Sequence, residues 1–361
     1  MSNAVQKHYQ CYPYPKYPLI ASIRHCDTYA LNLDALWCRF NEALPPTSAK
    51  KILIAGCGTF APYPWSVANP DAKITALDLS ESSLRRARLH CLLHGRRNLV
   101  YQCGDLLDSC NISGEFGLID AYGVLHHLDD PLSGLKALES KLQEGGILRI
   151  MVYSRYARRE EESIRRAMRL LGINTPSQVR RLLSKARSGS RLANYVAASD
   201  ETDSDAGIAD ALLHPQVHTF RIDGLLDVIR QTGLEPLFFA HYGALDDVQE
   251  EIDRLHALEK DRLSPGNFIL YLGKNILDPR ESSKENFIML NPCLRSAVSP
   301  FTLGTVHIPS RIGIGNPVFG YSERRFLRRF VTPVLKSELR SESTEAIDVY
   351  KRALFLLEYS A

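Results

Sequence analysis

The sequence has no long hydrophobic run, since no stretch approaches the roughly 18 unbroken apolar residues that a membrane span needs. It also lacks an initial charged segment followed by an apolar one, so no secretory signal peptide is predicted. Charge of one sign is not in excess either, with 44 Lys and Arg against 41 Asp and Glu. That balance gives no indication of nucleic acid or anionic lipid as a partner. We expect a cytoplasmic protein that binds no membrane.

Paired cysteines are missing as well. The eight cysteines are scattered, with no Cys-x-x-Cys pair and no Cys/His cluster at zinc spacing. This pattern predicts reduced thiols and no metal site. No internal repeat occurs, which excludes solenoids and propellers.

The chain has 361 residues, of which 45% are apolar and 24% charged, a composition typical of globular proteins. Composition shifts divide it into three parts. Residues 5–48 form an aromatic and proline-rich segment, in which closely spaced prolines disfavour a regular helix near its start. Residues 49–275 are expected to form the main domain, with an insertion at 155–220, and residues 276–361 a C-terminal accessory domain.

Short apolar runs alternate with amphipathic segments between residues 51 and 153. The runs 52–55, 73–79, 99–102, 117–121 and 146–153 are typical of buried strands. Strands that alternate with helices of about ten residues predict an α/β fold with a doubly wound, Rossmann-like parallel sheet.

Two regions depart from this rhythm. Residues 155–220 are polar, basic in their first part and acidic at 200–210, which predicts a helical insertion that covers the substrate. The last 85 or so residues predict an α+β unit, with a strand at 287–290, a basic helix near 324–330 and a final helix from about 344.

A glycine turn follows the first strand. Gly56 and Gly58 leave the backbone open to a close ligand, because no Cβ blocks the approach. Asp78 ends the second strand, where a carboxylate can accept hydrogen bonds from both ribose hydroxyls of an adenosine cofactor. After the third strand, Asp105 could accept from the adenine amino group while Leu106 packs on the ring.

Two cofactor classes fit this arrangement. Ala61 satisfies the permissive dinucleotide pattern, so a nicotinamide cofactor remains open. Pro62 and Pro64, however, remove two N–H donors that a pyrophosphate would need. S-adenosylmethionine carries no phosphate, and the sequence favours it.

Residues 51–153 resemble the class I S-adenosylmethionine-dependent methyltransferases of small-molecule type. The similarity rests on five segments in order: ILIAGCGTF, ITALDLSESSL, CGDLLD, FGLIDAYGVLHHLDDP and LQEGGILRIMVYSR. HYQCYPYPKYP and HPQVHTFRIDGLLDVI resemble the flanking regions of bacterial members that carry an Asn-Pro-Tyr-Pro-like segment near the N-terminus.

The resemblance implies a set of cofactor-binding residues: Gly56, Gly58, Asp78, Leu79, Asp105, Leu106, Tyr122 and Gly123. The sequence departs from the family at two positions. Ile54 stands where many members have an acid that contacts the amino-acid part of the cofactor, and Phe60 where most have glycine. The N-terminal segment is a candidate to supply the missing partner.

His126 and His127 follow the fourth strand, where a base would act if the acceptor arrives protonated. Packing or capping accounts for them equally well. Five further residues are candidates to line the acceptor pocket: Tyr12, Tyr14, Tyr153, His214 and His218.

The sequence therefore predicts methyl transfer from S-adenosylmethionine to an O, N or S nucleophile, with S-adenosylhomocysteine as product. A small metabolite is the favoured acceptor, and a protein side chain is the second. A nicotinamide-dependent oxidoreductase and a non-catalytic cofactor-binding scaffold remain alternatives. Nucleic acid is not expected as a partner, and the C-terminal unit is a candidate for homodimer formation.

Overall fold

A computed structural model describes residues 3–108, 112–276, 285–302, 304–339 and 344–360. Within these ranges no helix has both the length and the apolar character needed to cross a membrane. The seven cysteines that they include are free thiols, and Cys110 lies outside them.

The main sheet has seven strands in the order β3-β2-β1-β4-β5-β7-β6. Its strands are β1 (Lys51–Ala55), β2 (Lys73–Asp78), β3 (Leu99–Cys103), β4 (Phe116–Tyr122), β5 (Leu142–Val152), β6 (Leu234–Phe239) and β7 (Phe268–Lys274). Strands β1 to β5 pair in parallel, whereas β7 runs antiparallel to both β5 and β6. The predicted doubly wound α/β fold is confirmed, with an antiparallel edge.

The described part of the chain contains thirteen α-helices. They are α1 (Asn3–Cys11), α2 (Leu33–Asn41), α3 (Pro62–Ala68), α4 (Glu81–Leu93), α5 (Pro131–Glu139), α6 (Arg159–Leu170), α7 (Pro176–Leu183), α8 (Arg191–Ala198), α9 (Asp205–Ile208), α10 (Ile222–Arg230), α11 (Val248–Lys260), α12 (Tyr321–Leu327) and α13 (Thr344–Arg352).

The inner strands of the sheet are buried on both faces, as their apolar runs predict. Along β1, Ile52 and Ile54 belong to one core cluster together with Trp65. Leu53 and Ala55 belong to the cluster on the other face. The alternation places helices on both sides of the strands.

The insertion is helical, as predicted, and comprises α6 to α9 with short irregular turns. It has a small apolar cluster of its own, which contains Met168, Val179, Tyr195, Ile208 and Leu212. This cluster packs the helices of the insertion against one another.

The N-terminal segment begins with a helix that the sequence analysis did not predict. Helix α1 ends at Cys11, two residues before Pro13, so the prolines restrict only the residues that follow it. A 3-10 helix, His25–Leu31, follows later in this segment and leads into helix α2.

The C-terminal segment forms a three-stranded sheet in the order β10-β8-β9, from β8 (Asn286–Leu290), β9 (Val334–Leu335) and β10 (Leu356–Ser360). Strands β9 and β10 were not predicted. The segment shares one core with the rest of the chain, because Leu290 and Phe355 pack in the same cluster as Tyr29 and Leu36. It therefore differs from an accessory unit with its own separate core.

Candidate functional site

A cavity of about 450 Å³ opens at the carboxyl ends of β1, β2 and β4. Strands β1 and β4 are neighbours, while β2 lies on the other side of β1. The strand order therefore reverses at this point of the sheet. Such a switch point is where ligands bind in open α/β sheets. Helix α1, the proline-rich stretch and the insertion all contribute to the cavity wall.

The glycine turn is shaped for close approach. Gly56 and Gly58 both have positive φ, 61° and 57°, a conformation that other residues rarely adopt. A Cβ on Gly56 would lie 2.5 Å from Cγ2 of Val124, and one on Gly58 would lie 2.6 Å from the carbonyl oxygen of Tyr14. The second contact shows that the N-terminal segment itself packs onto the turn.

Asp78 faces this turn from the end of β2. Its Oδ2 accepts a hydrogen bond from the Gly58 N–H at 2.8 Å, and its Oδ1 accepts from the Ser80 N–H at 2.8 Å. Burial raises the pKa of Asp78 to about 6, and the two backbone hydrogen bonds oppose that rise. Each oxygen keeps a further lone pair for a ligand hydroxyl.

Of the predicted cofactor-binding residues Leu79, Asp105 and Leu106, only the two leucines line the cavity. Leu79 and Leu106 line the cavity, and Leu106 is buried. Asp105 does not line it; its Oδ1 accepts from the Leu107 N–H at 2.9 Å. The structure thus gives Asp105 a local capping contact, while the two leucines offer an apolar surface.

Tyr122 and Gly123 line the cavity at the end of β4. Beside them are two charged residues that the sequence analysis missed, Asp120 of β4 and Arg149 of β5. A charge inside an otherwise apolar strand is rare unless it is paired. That pattern in FGLIDAY and ILRIMV is the signal that could have identified them.

His126 and His127 have different environments. His126 is fully buried, does not line the cavity and stacks on Tyr153 with 3.8 Å between ring centroids. His127 lines the cavity and its Nδ1 lies 2.9 Å from the carbonyl oxygen of Gln216. Burial lowers the pKa of His127 to about 4 and that of His126 well below its usual value. Both imidazoles are therefore neutral at pH 7 and are weak bases.

Two of the five predicted acceptor residues, Tyr14 and Tyr153, line the cavity. Tyr12, His214 and His218 do not. His214 stacks behind His127 with 3.8 Å between ring centroids, and the backbone N–H of His218 donates to the carbonyl oxygen of His126 at 2.8 Å. These two histidines therefore support the cavity wall.

The acceptor end of the cavity contains residues that sequence reasoning did not find. The hydroxyl of Tyr9 in α1 donates to Oδ1 of Asp210 at 2.9 Å, and burial raises the pKa of Asp210 to about 6. Arg158 pairs with Glu161 and with Glu201, the latter at 3.5 Å. Four of these five side chains line the cavity, all except Glu161. No local motif identifies these residues, because tertiary packing brings helix α1 and the insertion together at the cavity.

Comparison with known proteins gives a family match for part of the chain. Residues 53–150 match a protein-family model described as "Methyltransferase domain". A ubiquinone biosynthesis O-methyltransferase of Idiomarina loihiensis is 37% identical over 100 residues, which cover 27% of this chain and 40% of that enzyme. An uncharacterised protein of Synechococcus sp. is 28% identical over 312 residues, which cover 81% of this chain and 72% of that protein.

Solved structures share the fold. The structure of PKMT2 from Rickettsia typhi superimposes with a TM-score of 0.55 at 17% identity, covering 73% of this chain and 56% of that one. Its complex with AdoHcy gives a TM-score of 0.52 at 15% identity, covering 76% and 59%. This chain thus spans less than two thirds of PKMT2 and of the ubiquinone enzyme.

Proposed function

We propose that this chain is a class I S-adenosylmethionine-dependent methyltransferase, and that it transfers a methyl group to a small-molecule acceptor bound beside helix α1 and the insertion. The observation that carries this proposal is the single cavity that joins the glycine turn and Asp78 to a polar, aromatic end. Cofactor and acceptor groups would meet within one enclosed space.

The residues present fit S-adenosylmethionine. Gly56 and Gly58 allow an extended ligand to lie against the backbone, and Asp78 offers lone pairs to the two ribose hydroxyls. Leu79 and Leu106 provide apolar contact for the adenine ring. When bound, the cofactor supplies a methyl group activated by a positively charged sulfur.

A dinucleotide fits less well. Helix α3 begins at Pro62, and Pro64 follows, so neither residue has an N–H to donate. The N–H of Tyr63 already donates to the Phe60 carbonyl oxygen, and that of Trp65 to the Ala61 carbonyl oxygen. The start of this helix thus offers little to a pyrophosphate.

The acceptor end supports a small molecule. Tyr9 and Tyr14 belong to the N-terminal segment, while Glu201 and Asp210 belong to the insertion, and all four line the cavity. The cavity volume of about 450 Å³ lies within the usual range for small-ligand sites. Excluding water there would strengthen every polar contact with the acceptor and hold it in position.

Asp210 is the better candidate to accept a proton from the acceptor nucleophile. Its pKa is raised to about 6, whereas that of His127 is lowered to about 4. A base is more effective when its pKa is nearer to the working pH. We therefore propose Asp210 in the role that the sequence analysis considered for His126 and His127.

Calorimetric titration with S-adenosylhomocysteine, with NAD as the parallel control, tests the cofactor. We expect micromolar binding of the first and none of the second. Incubation with methyl-labelled S-adenosylmethionine and a cell extract then tests the acceptor, with the label expected in the fraction below about 1 kDa. Label in protein would identify a side-chain acceptor instead, and binding without any transfer would indicate a scaffold.

A further inference from the structure

Three residues lie side by side across the floor of the cavity. Ile54 of β1 pairs with Asp120 of β4, and Asp120 pairs with Arg149 of β5. Paired residues on neighbouring parallel strands point to the same face of the sheet. All three line the cavity, next to the glycine turn that follows β1. Ile54 offers no polar group, so the charges at this place come from the other two strands.

The two charged side chains are close but incompletely bonded. Asp120 is only 2% exposed. Its Oδ2 accepts from Nε1 of Trp65 at 2.9 Å. Its Oδ1 lies 3.2 Å from Nε of Arg149, yet neither of these two atoms makes a hydrogen bond within the described structure. Buried polar atoms without hydrogen bonds are costly and rare. The ion pair lets the two charges compensate each other, and it sets a carboxylate and a guanidinium side by side in the cavity wall, where a ligand that carries both charges can meet them.

We propose that Asp120 binds the ammonium group and Arg149 the carboxylate of the methionine part of the cofactor. This inference rests on the proposed function. An α-amino acid carries both charges on adjacent groups, and so matches a carboxylate and a guanidinium that stand side by side. Arg149 also lies over the ring of Tyr122, with 4.6 Å between its Cζ and the ring centroid, which restricts where the guanidinium can move.

Removal of the negative charge tests the assignment. Asp120→Asn keeps an oxygen that can accept from Trp65 but loses the charge that would hold an ammonium. The ligands are S-adenosylhomocysteine, which has the amino-acid part, and 5′-methylthioadenosine, which lacks it. By calorimetry, we expect Asp120→Asn to weaken binding of the first by about ten- to a hundredfold. Binding of the second should change less than about twofold, within the spread of a neutral substitution.

The comparison of ligands separates a binding role from a structural one. An equal loss for both ligands would show that Asp120 acts only through the fold, and an unchanged affinity for both would show no role; either result overturns the assignment. Asp78→Asn is the matched control, because it should weaken both ligands alike through the shared ribose. If the unaltered protein binds neither ligand, the proposed function itself is wrong.

Discussion

The N–H of Gly58 donates to the carboxylate of Asp78 across 2.8 Å, so the glycine turn after β1 and the end of β2 hold each other in position. The hydrogen bond aims the turn at the carboxylate before any ligand arrives. A site preorganised in this way loses less entropy on binding.

Asp78→Asn should weaken S-adenosylhomocysteine binding by about ten- to a hundredfold, the effect of losing hydrogen bonds to a charged group. The remaining side-chain oxygen can still accept from the Gly58 N–H, which limits damage to the turn. Asp71→Ala is the control, since Asp71 is exposed and lies outside this cavity. Unchanged affinity in Asp78→Asn would remove Asp78 from the site.

Cofactor affinity should also depend on pH through the same residue. Because the pKa of Asp78 is raised to about 6, the carboxylate gains a proton as the pH falls below that value and becomes a poorer acceptor. We expect S-adenosylhomocysteine affinity to be constant from pH 7 to 8 and to fall from pH 6 to 5. The slope should be absent in Asp78→Asn, and a slope retained in that variant would assign the titration to another group.

Gly58→Ala should destabilise the protein more than Gly95→Ala. Both glycines have positive φ, 57° and 69°, so both substitutions incur a backbone strain of about 1–2 kcal/mol. Only the new Cβ at Gly58 meets a backbone atom, 2.6 Å from the Tyr14 carbonyl oxygen. Thermal unfolding should show a larger drop for Gly58→Ala, together with weaker S-adenosylhomocysteine binding. Equal drops in the unfolding temperature of the two variants would mean that the contact with Tyr14 adds nothing to the destabilisation.

His127 should contribute to acid sensitivity. Its folded-state pKa of about 4 lies below the usual value of about 6.5. The unfolded chain therefore binds more protons between these values, and stability falls as the pH is lowered through that range. His127→Asn can still donate to the Gln216 carbonyl oxygen but does not titrate. Between pH 7.5 and 4.5, urea unfolding should show the variant losing about 2 kcal/mol less than the wild type. An identical loss would contradict the lowered pKa.

The sequence predicted the parts of the fold that local pattern determines. Strands β1, β2 and β4 are largely apolar because both of their faces are buried, and that pattern is visible without a structure. Strand β10 is different, since residues 356–360 pair with β8 about 70 positions earlier. Helix α1 was not predicted because the prolines that follow it dominate the composition of the N-terminal segment.

Some residues of the candidate site could likewise be predicted from the sequence, and others could not. Gly58 lies in the turn after β1 and Asp78 is the last residue of β2, so their meeting is a consequence of strand order. Asp210 meets Tyr9 across 201 positions, through an insertion whose placement depends on its own packing. Such a contact cannot be deduced from spacing, although the charges of Asp120 and Arg149 within apolar strands could have been noticed.

The hydrogen bond between Tyr9 and Asp210 should stabilise the packing of helix α1 against the insertion. Tyr9→Phe removes the hydroxyl that donates to Asp210 at 2.9 Å and leaves a buried carboxylate with one donor fewer. We expect a loss of about 1–3 kcal/mol in the free energy of unfolding, with faster proteolysis between helix α1 and residue 20. Tyr17→Phe is the control, because Tyr17 is 48% exposed and should change neither measurement.

Asp210→Asn completes a double-mutant cycle with Tyr9→Phe. If the hydroxyl acts through Asp210, the two losses should not add, and the coupling energy should reach about 0.5–3 kcal/mol. Additive losses would mean that each residue stabilises the fold separately. In that case Asp210 would not hold helix α1 beside the cavity, and the helix would be held by its other contacts, such as the hydrogen bonds from Gln6 to the Leu79 carbonyl oxygen and from Ser80 to the Tyr9 carbonyl oxygen.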